Sequence, residues 1–460
     1  MIIMKFGGAS LDGAESVKNV TEIISRRIDL QPVIVVSAMG KTTSRLLKAA
    51  KLAEEQEPAN SYSLLSTLRE EHLKVYNAFK TGEEDSIYLE KINNYFSELK
   101  IVLEMIASRK ELSPFLQDKV LAYGELISSA ILTTALISRQ IRANLLDARI
   151  CLITDEHFTH AHPKEDESQI KIRDYILPIL NKGMLPVIQG YIGSTQSGET
   201  TTLGFEGSDY SAVLIGAALE TNDIQIWKDV PGVMTADPDL IDTPATIKKM
   251  SYEEAAELSL YGAKVLHPNT IQPARSKNIP IHIYSVRTPS ADGTVIGNKT
   301  DTAKPVIKSI TCRDKLLMLN IQSGEKSSEF DFLYRLFDIV RQSEVVPYII
   351  LGSGKQISLV VDESKKSDVM INSFGGFANL GVEKNKATIS LIGENVSHNT
   401  KLLTEVREYI NGEGIELTVS NVSPHSFTFM VDSSRLQTII RKLHAFIFRE
   451  VNRDIFEAIK

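Results

Sequence analysis

Short runs of β-branched and aliphatic residues alternate with longer stretches of helical period over residues 1–287. Residues 2–6 read as a strand, after which Val17, Val20, Ile23 and Ile24 set one apolar stripe on a helix. Residues 32–38 form an almost wholly apolar run, the pattern of a strand buried on both faces. Residues 46–109 are helical and charge-rich, and residues 145–153, 185–191, 223–227 and 280–284 are further expected strands. Such alternation predicts a parallel α/β sheet. Residues 288–305 are rich in turn formers and poor in periodicity, which predicts a linker. Beyond it the order strand, helix, two strands, helix occurs twice: 316–321, 330–340, 346–351, 356–361 and 364–374, then 387–392, 402–410, 415–419, 426–431 and 434–446. One small module is expected to be duplicated there, giving domains at 1–287, 306–385 and 386–460.

Composition narrows the function. Lys+Arg 51 against Asp+Glu 58 leaves a net charge of −7, which argues against a nucleic-acid partner, whose footprint is usually basic. Two cysteines, Cys151 and Cys312, far apart and in no zinc-ligand pattern, exclude a disulfide framework and fit a reducing cytoplasm. The N-terminus has no signal-peptide pattern. The most apolar stretch, 127–141, carries Ser128, Ser129, Thr133, Thr134 and Ser138 and reads as a buried helix, not a membrane span.

Several segments could carry chemistry. Lys5-Phe6-Gly7-Gly8-Ala9-Ser10 sits between a strand and a helix, where glycines let main-chain N–H groups approach an anion and a lysine suits a transferring phosphoryl group. An ordinary tight turn is the competing reading. Gly40-Lys41-Thr42 looks like the end of a P-loop, but Val35 stands where that motif needs glycine. Ser37 and Thr43 still face the crevice where open α/β sheets bind ligands. Gly124-Glu125 is expected to open a helix, with the carboxylate either binding a substrate amine or complementing the helix dipole. Residues 190–210 combine glycines and hydroxyls into an anion cradle, ending in Gly207-Ser208-Asp209 at a helix start with Ser208 as the expected cap. Trp227-Lys228-Asp229 and Tyr261-Gly262-Ala263-Lys264-Val265 add two further lysines. His157, His160 and His162 fall close together, but without a carboxylate frame they read as an exposed loop, and no protein-ligated metal is assigned.

Taken in order, KFGGAS, SAMGKTT, YGE, TTTLGFEGSDYSA, WKDVPGVMTADP and YGAKVLHP resemble the aspartate kinase family of the amino-acid kinase superfamily, and the duplicated tail resembles its paired ACT domains. The resemblance covers the whole chain. It implies a mostly parallel sheet with helices on both faces, followed by two ferredoxin-like βαββαβ domains. It also implies transfer of the γ-phosphoryl of ATP to L-aspartate, giving 4-phospho-L-aspartate on the way to lysine, threonine and methionine. Lys5, Asp209 and Lys264 would be catalytic, with Lys5 and Lys264 converging on one polyanion. Gly7, Gly8, Ser10, Lys228, Asp229, Met234, Asp237 and Val265 would join Lys5 and Lys264 around the nucleotide. Ser37, Thr43, Glu125, Phe205, Gly207 and Ser208 would line the aspartate side. Mg2+ would arrive with the ATP; lysine or threonine would act at Phe332, Leu333 and Ser353; and the ACT modules would form a homodimer.

The chain departs from the family pattern in places. Where Leu-Gly-Arg-Gly-Gly-Ser-Asp is usual, Leu203-Gly204-Phe205-Glu206-Gly207-Ser208-Asp209 stands, so the carboxylate-clamping arginine is Phe205. Met234 and Asp239 replace a Tyr and an Arg, and Phe330-Asp331-Phe332 and Ser353-Gly354-Lys355 replace Gly-Phe-Leu and Ser-Glu-Val patterns. The alternative is an altered homologue that acts on another substrate or serves as an amino-acid-sensing regulatory subunit.

Overall fold

The computed structural model describes residues 1–82, 86–263, 265–298, 306–324, 328–412, 420–449 and 452–457. The chain divides into two compact units: Met1–Val233 with Lys248–Tyr252 and Leu266–Lys299, and Met234–Ile247 with Glu253–Val265 and Thr300–Lys460.

Among the described residues the first unit holds an eight-stranded sheet and a two-stranded one. Its strands are β1 Ile2–Phe6, β2 Pro32–Val36, β3 Ala143–Leu146, β4 Leu185–Gln189, β5 Ile192–Ser194, β6 Thr200–Thr202, β7 Ile224–Lys228, β8 Lys249–Ser251, β9 Ile281–Ser285 and β10 Thr294–Gly297. The large sheet runs β3-β4-β2-β1-β7-β9-β10-β8, parallel from β3 to β9, with β10 antiparallel to β9; β5 and β6 form a hairpin. Every residue of β1, β2 and β4 is buried, as continuous apolar runs in a two-sided parallel sheet require. The register sets Lys5 opposite Val35 and Ile226, one residue from the carboxyl end of the central strand.

Three sequence expectations need correction here. The strand expected over 145–153 stops at Leu146, because the Asp147 side chain accepts from Arg149 N–H at 3.0 Å and turns the chain into a short 3-10 segment. The segment expected to be a linker contains β10; Gly293, at φ +63, allows the tight return, where a Cβ would lie 2.2 Å from the Ile283 carbonyl oxygen. The buried helix begins well before residue 127. It spans Pro114–Ser138, with Ser113 capping Leu116 N–H and proline in its first turn. This helix is long and apolar enough to cross a bilayer, but 89% of its apolar window is buried within the protein, as a core helix would be.

The second unit contains β11 Val306–Ser323, β12 Ile349–Ser353, β13 Gln356–Asp362, β14 Ala378–Glu394, β15 Ser420–Val422 and β16 Ser426–Asp432. They form one antiparallel sheet in the order β12-β13-β11-β14-β16-β15. Helices Glu329–Ser343, Lys365–Ser373, Thr400–Gly412 and Leu436–Ile447 complete two ferredoxin-like halves. β11 and β14 pair along most of their length and serve both halves, so the boundary expected at 385/386 falls inside β14. The strand expected over 415–419 lies outside the described residues. Glu254 belongs with this unit through a buried ion pair to Lys308, 2.7 Å long, with both side chains at most 1% exposed.

Candidate active site

The carboxyl ends of neighbouring strands β1 and β7 bring two lysines to one carboxylate. Lys5 Nζ lies 2.5 Å from Asp209 Oδ1, and Lys228 Nζ lies 3.3 Å from Asp209 Oδ2. Asp209 is the third residue of helix Gly207–Leu219, and both it and Lys5 are buried. A charge held out of water needs a partner, and here one anion serves two cations. Burial pushes the Asp209 carboxyl up, but the Lys228 and Lys5 ammonium groups outweigh it and hold the carboxyl below its usual range. Burial likewise lowers the Lys228 ammonium, and Asp209, with help from Glu206, carries it above its ordinary value. The two ammonium groups exceed Asp209 by one charge, which the Glu206 carboxyl beside Lys228 offsets in part and the N-terminus of the helix adds to.

Glu125 comes to the same region by a different route from the one expected. It sits in the middle of helix Pro114–Ser138, not at its start, so the helix dipole has no part in its placement. Gly124 lets that helix approach the loop after β2, where a Cβ would lie 2.8 Å from the Ala38 Cβ. Glu125 Oε1 then accepts from Ala38 N–H at 3.1 Å, while among the described residues Oε2 has no hydrogen-bond partner. Burial pushes this carboxyl up to about 8, against the opposing pull of the Ala38 N–H and Lys5. The carboxyl is thus neutral at pH 7 and has one oxygen left to pair within the protein.

The loops around these groups are tightly stacked. Gly8 is glycine because of packing, since a Cβ would lie 2.7 Å from Ala38 O and 2.9 Å from Gly40 O. Gly7, expected to help cradle phosphate, donates its N–H to Trp227 O at 3.2 Å, and Ser10 Oγ donates to the same oxygen at 3.4 Å. Ser37 Oγ donates to Ser208 Oγ at 2.9 Å. Ser208 is therefore not the helix cap: that position is Glu206, in the left-handed region at φ +55 and without a side-chain cap bond. Thr43 is half-buried in the first turn of helix Thr42–Glu54, and Thr42 beside it is buried against Met39 O and His72. Lys41 is exposed, which removes the P-loop reading. Gly207 packs on Tyr191, with room for no Cβ.

Phe205 points to solvent, 71% exposed. Glu206 faces inward, and its carboxyl is pushed up chiefly by burial, with Lys228 opposing and Asp209 adding to the shift. The sequence signal for Glu206 was its departure from the family's glycine. Asp118, also missed, is fully buried and ties three segments together: Oδ1 accepts from Thr202 Oγ1 at 2.6 Å, and Oδ2 accepts from Thr202 N–H at 3.0 Å and Thr159 N–H at 2.8 Å.

The remaining expected residues lie elsewhere. Asp229 is exposed, 3.7 Å from Arg287. Met234, Asp237 and Val265 belong to the second unit, where Asp237 Oδ1 accepts from Asp239 N–H at 2.9 Å. Lys264 lies outside the described residues. Phe332, expected to touch an effector, is instead fully buried and stacked on Phe377, because it fills the core beneath its helix. Leu333 is half-buried on that core, and Ser353 is exposed on β12. The histidine loop gains a carboxylate that residue spacing did not reveal. Asp155 Oδ2 lies 2.8 Å from His157 Nδ1 and 3.1 Å from His162 Nδ1. Burial pushes the Asp155 carboxyl up, but the His162 and His157 N–H groups and both rings together outweigh it and bring it down to about 2.

Comparison with known proteins agrees with this architecture. Residues 1–285 match the model of the amino acid kinase family. The chain is 32% identical to aspartokinase 1, chloroplastic, of Arabidopsis thaliana over 97% of its own length and 80% of the relative's. It is 28% identical to the lysine-sensitive aspartokinase 3 of Escherichia coli over 97% of this chain and 99% of that one. The solved structure of E. coli aspartokinase III in complex with aspartate and ADP superposes with a TM-score of 0.87, at 28% identity, covering 97% of this chain and 100% of that one. The same enzyme with lysine and aspartate gives 0.78, over 97% of this chain and 99% of that one. The chain belongs to the amino acid kinase family, in its aspartokinase branch.

Proposed function

We propose that this chain transfers the γ-phosphoryl group of ATP to the side-chain carboxylate of L-aspartate, giving 4-phospho-L-aspartate and ADP. The observation that carries the reading is the pairing of Lys5 and Lys228 on Asp209, beside the half-satisfied Glu125. A carboxylate oxygen of aspartate attacks the γ-phosphorus, and the bond to the bridging oxygen breaks, leaving its electrons on ADP. Lys5 and Lys228 offset the charge that spreads over the phosphoryl oxygens, and Asp209 holds both ammonium groups at fixed positions before substrate arrives. Glu125 takes the substrate ammonium. Since the substrate supplies the nucleophile, the protein needs none, and catalysis is positioning and electrostatics. Mg2+ travels on the nucleotide with much of its water shell, since Asp209 is already engaged by two ammonium groups. With Mg-ATP, L-aspartate and hydroxylamine the full chain is expected to form aspartyl hydroxamate; turnover only with another amino acid would overturn the substrate.

Glu206 is expected to temper this activity. Its carboxyl faces the cluster that must receive a polyanion, and its backbone adopts a conformation that favours glycine. Glu206→Gly should lower the KM for ATP by about tenfold, the equivalent of ~1.4 kcal/mol of removed repulsion. It should also raise the melting temperature through release of about 1 kcal/mol of backbone strain. Steady-state kinetics and a thermal melt read the two effects separately.

End-product control by lysine or threonine at the ferredoxin-like halves is part of the proposal, supported by the lysine complex of the E. coli relative. Either amino acid is expected to depress turnover in the same assay. A homodimer through this unit is supported by helix Glu329–Ser343, which exposes Phe330, Tyr334 and Phe337 on one side. Two free cysteines accord with a cytoplasmic setting.

A further inference from the structure

We propose that Asp155, His157 and His162 form a surface site for a borderline divalent ion of the Zn2+, Co2+ or Ni2+ class. One ligand atom from each residue lies within 4.8 Å of the other two. Both imidazoles turn the same nitrogen, Nδ1, toward one oxygen, Asp155 Oδ2, at 2.8 and 3.1 Å. Around a tetrahedral ion with bonds of ~2.0–2.1 Å, neighbouring donors stand about 3.3 Å apart, so each histidine nitrogen needs to draw back from Asp155 Oδ2 by only about half an ångström or less.

The loop that carries them is already ordered. The second carboxylate oxygen, Asp155 Oδ1, accepts from His157 N–H at 3.1 Å and His162 N–H at 2.9 Å, and Asp155 N–H donates to His162 O at 3.0 Å. Ala161 N–H donates to Thr202 O at 2.9 Å, Thr159 N–H donates to Asp118, and Phe158 packs edge-on against Phe115. Little conformational freedom is left to lose on binding. Coordination through Nδ1 requires each ring to give up the Nδ1 proton it shares with Asp155 and to carry one on Nε2 instead, an exchange through water that releases no net proton from a neutral ring. Both histidine side chains are about three-quarters exposed, leaving the remaining positions of the ion to water. Two imidazoles and one carboxylate favour Zn2+, Co2+ or Ni2+ over Mg2+ or Ca2+, which prefer all-oxygen shells. His160 does not share the site: its Nδ1 lies 3.0 Å from Thr159 Oγ1, and its ring packs beside Gly204.

The test is calorimetric titration of the untagged full chain, stripped with a chelator, against Zn2+, with Mg2+ as a competitor. One saturable Zn2+ site per chain is expected, untouched by excess Mg2+. His157→Ala and His162→Ala should each weaken it at least tenfold, and His160→Ala should leave it unchanged. A Zn2+-dependent rise in melting temperature should vanish in the first two variants and persist in the third. The absence of a saturable site would overturn the assignment. So would binding that survives both ligand substitutions, or binding that falls equally with His160→Ala.

Discussion

Lys5→Met is expected to reduce kcat by about 10³-fold while changing the KM for aspartate only a few-fold. Methionine keeps the length and much of the volume of lysine inside the sheet, so β1 should still seat between β2 and β7. What disappears is one ammonium group 2.5 Å from Asp209, preset where phosphoryl charge develops. Losing one such preorganised group typically costs ~10²–10³ in rate, and a full cationic charge in a buried setting lies at the upper end of that range. Lys5→Arg should not restore the rate, because a planar guanidinium cannot take the place of a compact ammonium between two strands. Asp209 keeps Lys228 in either variant, so its carboxylate does not become an unpaired buried charge and folding should survive. Rapid-quench or steady-state assays at saturating ATP, with circular dichroism as the folding control, check the expectation. A folded Lys5→Met protein within tenfold of the parent kcat would remove Lys5 from the chemistry.

Much of this site was legible because parallel strands buried on both faces announce themselves as unbroken apolar runs. β1, β2, β4 and β7 were all expected within a few residues of where they lie, and with them Lys5, Ser37 and Lys228 at the carboxyl ends. Helix starts were harder to place. The apolar stretch beginning near Glu125 predicts a helix N-terminus there, whereas Ser113 caps the helix and Pro114 opens it, eleven residues before Glu125. Long-range polar ties leave no local period at all. Asp118 meets Thr159 and Thr202 across 41 and 84 residues, and no spacing rule within one element connects them. Asp155 failed to register for a related reason: it meets His157 and His162 only through a loop whose shape depends on those distant anchors. In the second unit the duplicated pattern was visible, but β11 and β14 extend past their apolar cores into half-exposed residues, which hid their sharing between the two halves.

Glu125 gives the second large effect, read in pH. Its carboxyl stands at about 8 in the folded chain against an ordinary 4.5, so between those values the folded protein holds a proton that the unfolded chain releases. The stability this group contributes is fully present below pH 4.5 and is lost as pH rises through 8, at ~1.4 kcal/mol per unit over the interval. Glu125→Gln copies the neutral carboxyl in shape and never ionises. Denaturant melts of the two proteins should therefore agree near pH 4.5 and diverge steadily, until by pH 9 the variant is more stable by on the order of 5 kcal/mol. Aspartate should act on the same proton. An ammonium group set against Glu125 favours the carboxylate, so substrate binding at pH 7 should release close to one proton, seen by calorimetry as a binding heat that changes with the ionisation enthalpy of the buffer. Glu125→Gln should bind aspartate more weakly and release none. A flat stability difference across pH, together with buffer-independent heats in the parent protein, would mean that Glu125 is already ionised before substrate arrives. Proton release could then not accompany the seating of the amine.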